Sequence, residues 1–295
     1  MQYRAGKLLQ AGIASNTQLT YATGLKAFKN FCKEYNLPLN WPASEQHIIL
    51  FIARSFENGL SPNSITTYIA GINYYHKLNN WYDIQKIFVI QKLLEGCRRA
   101  RTSKDPRAPI SKNVLIDIVS ILPKVCYNDY ETSLFGALFT MAYFGLFRVS
   151  ELVSSGQDAK HNIQSSDIQF NSDNVIITLN YHKTNQRGRQ INIKLPSDNN
   201  KTVCPINAGT IFRKNRPQQS GSFFCHANGT EVTRQQFSKV LSKCISKTTF
   251  ANGHYRSHSF RIGRATDLAV QGIPNDTIMA LGRWNSDCFK RYIRL

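Results

Sequence analysis

Negative charge is scarce in this chain. Asp and Glu number 18 against 37 Lys and Arg, giving a formal charge of +19 over 295 residues, spread along the length and not gathered in one tail. A polyanionic partner is therefore expected, although charge alone does not choose between DNA, RNA and an anionic membrane surface. Long apolar runs are missing too: no stretch reaches the roughly 20 residues that a membrane-spanning helix needs, and residues 1–7 lack the apolar core of a secretory signal. A soluble, non-secreted protein without a membrane partner is expected. The seven cysteines form no Cys-x-x-Cys pair and sit beside no histidine cluster at zinc spacing, so neither a structural zinc nor a disulfide framework is indicated. Their odd number, and settings such as Phe223-Phe224-Cys225, suit small buried hydrophobes in a reducing compartment, the nucleus of a eukaryotic host or otherwise the cytoplasm. Internal repeats and low-complexity tracts are absent as well.

Apolar periodicity is plentiful. Leu19, Ala22, Leu25, Phe28, Cys32 and Tyr35 recur at helical spacing and predict a helix over 15–35. Ser44 opens a second helix through Ile48, Ile52 and Phe56, which Gly59 ends, and Ser61-Pro62 starts a third through Ile65, Ile69 and Ile72. A fourth run covers 84–97, completing a helical domain over 1–100. Residues 101–110 are basic, contain two prolines and lack periodicity, so they predict an extended linker, either a solvated hinge or a strap across a phosphate backbone. The remainder, 111–295, begins with a helix capped by Ser111 and a strongly apolar helix over 131–147. Alternating residues at 175–179 and 190–195 flank a polar turn and predict a hairpin. Helices return from 233 onward. The fold class expected is α+β, mostly helical, with a small antiparallel sheet.

Four separated segments of this second domain require one explanation. Arg148 and Glu151 lie three residues apart at the end of an apolar helix, where an arginine needs a partner. In His258-Ser259-Phe260-Arg261, a helix sets histidine and arginine one turn apart on one face. Leu281-Gly282-Arg283-Trp284 follows, and then Arg291-Tyr292-Ile293-Arg294, holding the only tyrosine after Tyr255. Each is common by chance; all four in this order over about 145 residues are not.

In this order the chain resembles the tyrosine recombinase (phage integrase) family, with its arginine, hairpin lysine, His-x-x-Arg, His/Trp and terminal tyrosine. Residues 258–264 and 282–294, with the basic linker, are most similar to recombinases of eukaryotic mobile elements of the DIRS and crypton type. The resemblance implies a SAM-like helical core-binding domain, a recombinase catalytic domain, and cleavage and rejoining of double-stranded DNA through a 3′-phosphotyrosine. It also implies integration or mobilisation of an element by a homotetramer on DNA, a dimer per site, with the protein monomeric in solution. No cofactor, metal or ATP is called for. Tyr292 takes the place of the nucleophile, and its hydroxyl titrates near 10, so His258 is the candidate base or hydrogen-bond partner. Arg148 and Arg261 are suited to the charge that builds on the non-bridging oxygens.

Lys183 matches the hairpin lysine that would protonate the leaving 5′ oxygen, with Lys194, Arg187 and Arg189 as competitors. Trp284 stands either as an N–H donor to the phosphate or as a core tryptophan. Glu151 orients Arg148 or the histidine. Arg98, Arg99, Arg101, Lys104, Arg107, Arg187, Arg189, Arg264 and Arg283 are the expected contacts to the DNA backbone. Trp284 and Tyr292 lie eight residues apart, one fewer than in bacterial members, and three residues follow Tyr292, where several members carry a further helix that docks into a neighbour. Alternative readings are a catalytically silent DNA-binding protein descended from such a recombinase, or a type IB topoisomerase-like enzyme.

Overall fold

A computed structural model describes residues 2–101, 105–154, 162–180 and 190–295. The chain divides into two units, Met1–Asp105 and Pro106–Leu295.

The first unit is all helical: α1 Gln2–Ala11, α2 Ser15–Glu34, α3 Glu45–Glu57, α4 Pro62–Leu78 and α5 Phe88–Ala100. Two helix starts form as their residues dictate. The Ser44 side chain accepts from His47 N at 3.2 Å and the Ser61 side chain from Ser64 N at 3.1 Å, each satisfying a donor that the first turn leaves over. The core is built on Phe28, Phe51 and a row of isoleucines, among them Ile48, Ile52, Ile65, Ile69 and Ile72, all fully buried. Each such side chain contributes about 1.5–3 kcal/mol by leaving water. The run expected over 84–97 is split: a 3-10 turn, Ile84–Lys86, precedes α5.

In the second unit, α6 (Lys112–Ile121) and α7 (Asp129–Phe144) lead into the four-residue α8 (Val149–Leu152). Three strands follow, β1 (Ile168–Phe170), β2 (Asn174–Leu179) and β3 (Ile191–Pro196). They form one antiparallel sheet in the order β1-β2-β3, with Ile177 opposite both Ile168 and Ile193. The chain ends with α9 (Pro205–Asn215), α10 (Arg234–Ile245), α11 (Ser259–Val270), α12 (Asn275–Gly282) and a 3-10 stretch, Asp287–Tyr292. This is a mostly helical α+β fold. From Leu134 to Phe144 every residue of α7 is buried, as expected of a helix apolar on all sides. Phe139 on it packs against Phe237 and Phe260 with ring centroids 5.1 and 5.4 Å away. A smaller core, Leu146, Ala265, Leu268, Ile278, Trp284 and Phe289, lies under the end of the chain.

Three further sequence expectations change. The apolar helix ends at Phe144 instead of 147, because Leu146 turns left-handed at φ 47°. Ser111 makes no side-chain cap bond; the carboxylate of Asp267 takes its place, accepting from Lys112 N at 2.8 Å and from the Tyr143 hydroxyl at 2.5 Å. One side chain thereby ties α6, α7 and α11 together. The expected linker is also shorter than 101–110, since residues 106–110 belong to the second unit as a strap along the start of α11. Ala108 N donates to His254 O and Ile110 N to Ser259 O, both at 3.0 Å. Gly263 permits this approach, for a Cβ there would stand 1.7 Å from the carbonyl oxygen of Ile110. The turn 185–188 lies outside the described residues.

Candidate active site

The break after α7 sets the first candidate side chains. Arg148 occupies the position before α8 in extended conformation, and Glu151, three residues on, folds back to it. The Glu151 carboxylate accepts from Arg148 N at 2.8 Å and from Arg148 Nη1 at 3.1 Å. A third donor arrives from far along the chain, Arg283 Nη2 at 2.9 Å. The carboxylate is 4% exposed and the Arg148 side chain 15%. A buried carboxylate needs such partners, because unpaired charge in a low-dielectric interior is costly.

Arg261, on the first turn of α11, is wholly buried. It donates Nη1 to the carbonyl oxygen of Leu146 and Nη2 to that of Gly282 at 3.0 Å, while its Nε has no acceptor among the described residues. Its guanidinium faces the rings of Trp284 at 4.6 Å and Tyr292 at 5.4 Å. Burial first, and then the charges of Arg148 and Arg283, push its pKa down to about 9, so it remains a cation at neutral pH.

His258 precedes α11 directly. Its ring lies 6.2 Å from that of Tyr292, centroid to centroid. Burial, followed by the cations of Arg107, Arg261, Arg148 and Arg234, lowers its pKa to about 4, which leaves it neutral and able to accept a proton. Tyr292 is half-buried at the end of the 3-10 stretch, its ring 5.0 Å from that of Trp284. Thr266 fixes the backbone there, donating Oγ1 to Tyr292 O at 3.3 Å and accepting from Arg294 N at 3.0 Å.

The structure thus brings Arg148, Glu151, His258, Arg261, Trp284 and Tyr292 together from four segments. Trp284 is placed as a core residue, 7% exposed in the small C-terminal core with its ring against Arg261. Arg283 lies inside the protein and not at its surface, with 7% exposure and its bonds directed to Glu151 and main-chain carbonyls. Arg264 is half-buried over the rings of Tyr143 and Phe144, at 5.3 and 5.1 Å. In the first unit Arg98 and Arg99 are exposed, Arg99 paired with Glu95, while Arg101 covers the Phe56 ring at 4.0 Å. Arg107 is bridged to His254 and close enough to act on His258. Lys104, Lys183, Arg187 and Arg189 lie outside the described residues. Lys194 is exposed on β3, 3.9 Å from Asp173.

Two residues escaped the sequence reading. Asp267 orients α11, and its only sequence signal is an acid inside a helix that also carries the His258 and Arg261 pair. Arg234, exposed at the start of α10, adds to the positive field on His258. Its N–H donates to Ser154 O at 3.1 Å, which sets the start of α10 beside the chain leaving α8.

Comparison with known proteins bears on the family and the fold. Residues 116–294 match the phage integrase family, and residues 2–81 match the phage integrase N-terminal SAM-like domain. No curated protein matches this chain significantly. Among solved structures, the XerH site-specific recombinase bound to palindromic difH substrate in a post-cleavage complex superposes with a TM-score of 0.67 at 16% identity, over 92% of this chain and 74% of that one. A lambda integrase dimer bound to a COC′ core site gives 0.64 at 17% identity, over 99% and 75%. The Tn1549 transposon integrase in complex with circular intermediate DNA gives 0.64 at 14% identity, over 100% and 94%.

Proposed function

The chain belongs to the phage integrase family, and from that premise we propose that it is a site-specific DNA recombinase, cutting and rejoining duplex DNA through a 3′-phosphotyrosine at Tyr292 to mobilise a genetic element. One observation carries the reading: around a tyrosine and a neutral imidazole, three guanidiniums, Arg148, Arg261 and Arg283, are largely withdrawn from water against, among the described residues, the one carboxylate of Glu151. Such a centre is short of negative charge, and a phosphodiester supplies it where Tyr292 can reach.

In this reading Arg148 and Arg261 donate to the non-bridging oxygens as charge builds on them, a contribution on the order of 3–4 kcal/mol for one preorganised donor. His258 takes the proton from the Tyr292 hydroxyl as its oxygen attacks phosphorus. The bond to the 5′ oxygen breaks, and Lys183 protonates that oxygen. Attack by a 5′ hydroxyl reverses the sequence and needs no ATP, because the phosphotyrosine keeps the energy of the broken bond. The DNA contacts of the bound neighbours support duplex DNA as partner, and four protomers, two per site, are the assembly proposed. The DIRS or crypton affinity rests on the residues of 258–264 and 282–294.

The test is to incubate the protein with nicked duplexes drawn from the borders of its own element, quench with denaturant and look for a protein–DNA adduct. The expected result is an adduct with wild type and none with Tyr292→Phe. Tight binding with no adduct on any substrate would overturn the proposal in favour of a silent DNA-binding protein.

A further inference from the structure

Arg283 sits where a side chain is least expected. It closes α12 in the left-handed region, φ 57° and ψ 44°, where glycine or asparagine usually stands because a Cβ is strained there. Main-chain bonds from Arg283 N to Ala280 O at 3.1 Å and from Trp284 N to Met279 O at 3.0 Å close the turn, and the guanidinium adds what glycine would lack. Nη1 donates to Gly145 O at 3.0 Å, and Nη2 donates to Leu146 O at 3.1 Å and to Glu151 Oε2 at 2.9 Å. These acceptors lie more than 130 positions earlier in the chain. Two of them are shared. Glu151 also holds Arg148, through its N–H and Nη1, and Leu146 O also holds Arg261 through Nη1.

We infer that Arg283 is a positioning residue for the recombination chemistry, fixing both Arg148 and Arg261 through one shared acceptor each without touching the DNA. The inference rests on the recombinase reading above. Its physical content is twofold. A planar fork reaching three acceptors locks the turn 145–148 to the end of α12, which a point-charge ammonium cannot do. Further, a carboxylate divided between two guanidiniums neutralises neither, so Arg148 keeps charge for an anion. Without Arg283, Glu151 closes on Arg148 alone and draws it off the phosphate.

The experiment is single-turnover adduct formation on a nicked duplex by wild type, Arg283→Gln, Arg283→Lys, Glu151→Gln and the Arg283→Gln/Glu151→Gln double variant. DNA affinity is followed by fluorescence anisotropy, and Ile278→Val serves as a destabilised control from the same small core. Arg283→Gln is expected to slow cleavage on the order of 10²-fold, the effect of misplacing catalytic groups by about 1 Å, with DNA affinity unchanged. Arg283→Lys recovers only part of the rate, and Ile278→Val shows none of the defect. The double variant is expected to be slowed by much less than the product of the two single defects, since the Glu151 linkage is common to both changes. Equal loss of affinity and rate, or defects that multiply in the double variant, would mean that Arg283 contacts the phosphate itself and would overturn the inference. So would wild-type rate in a folded Arg283→Gln protein or full rescue by lysine. No adduct from wild type sinks the recombinase reading and this inference with it; an active wild type with an unimpaired Arg283→Gln sinks the inference alone.

Discussion

Acidification should loosen the second unit through one imidazole. His258 is held neutral well below its ordinary 6.5, down to about 4, by burial and by the cations of Arg107, Arg261, Arg148 and Arg234. The unfolded chain bears no such penalty. Between 6.5 and about 4 it therefore takes up a proton that the folded protein refuses. The sign follows: this stability is complete above the unfolded pKa and is lost as the pH falls toward the folded one. At about 1.4 kcal/mol per pH unit, the whole window is worth about 3 kcal/mol. Because the ring is only partly buried, solvent screening reduces this to about 2 kcal/mol. For a unit of this size that is roughly 4–8 °C in melting temperature.

The assay is thermal unfolding of wild type and His258→Gln across the window. Carboxylates titrate there too, so the difference between the two proteins isolates the imidazole. The variant should lose less on acidification, and the His258 resonance should titrate near the low value. Parallel losses, or an imidazole that protonates near 6.5, would refute the reasoning. Bound polyanion offsets the four cations and should move the window upward.

Glu151→Ala removes the one carboxylate that three buried donors share, and should destabilise the second unit by about 3–5 kcal/mol in denaturant. A midpoint close to wild type would show that Arg148 and Arg283 need no counter-charge. Gly263→Ala brings a Cβ against the carbonyl of Ile110 and should cost about 1–3 kcal/mol. Hydrogen exchange at the Ile110 amide, bonded to Ser259 O, should quicken; an unchanged rate would mean that the strap yields without opening.

What could be read in the sequence was what neighbours in the sequence decide. The α2 helix follows from apolar spacing, α3 and α4 from spacing and the serines before them, and β2 and β3 from alternation. By contrast, α1 has almost no buried face among its described side chains and so leaves no period to read, while β1 is three residues long. The helix expected to run to 147 stops early because Leu146, an unremarkable apolar residue, adopts a glycine-like backbone. The site shows the same division. His258 and Arg261 are one turn apart and were legible as a pair. Arg283 looked like one more surface cation, because everything that draws it inward lies on the far side of the sequence.

Leu146 carries a consequence for how this centre can change. Its side chain is buried with Ala265, Ile278 and Trp284, while its carbonyl oxygen receives Arg261 and Arg283 together. A main-chain oxygen cannot be substituted. Drift in side chains can therefore leave the aim of both guanidiniums intact as long as the turn survives, and a change that reshapes the turn re-aims them while every candidate residue is still in place. Conservation of chemistry here is conservation of a bend in the backbone, which a comparison of residue letters alone would pass over.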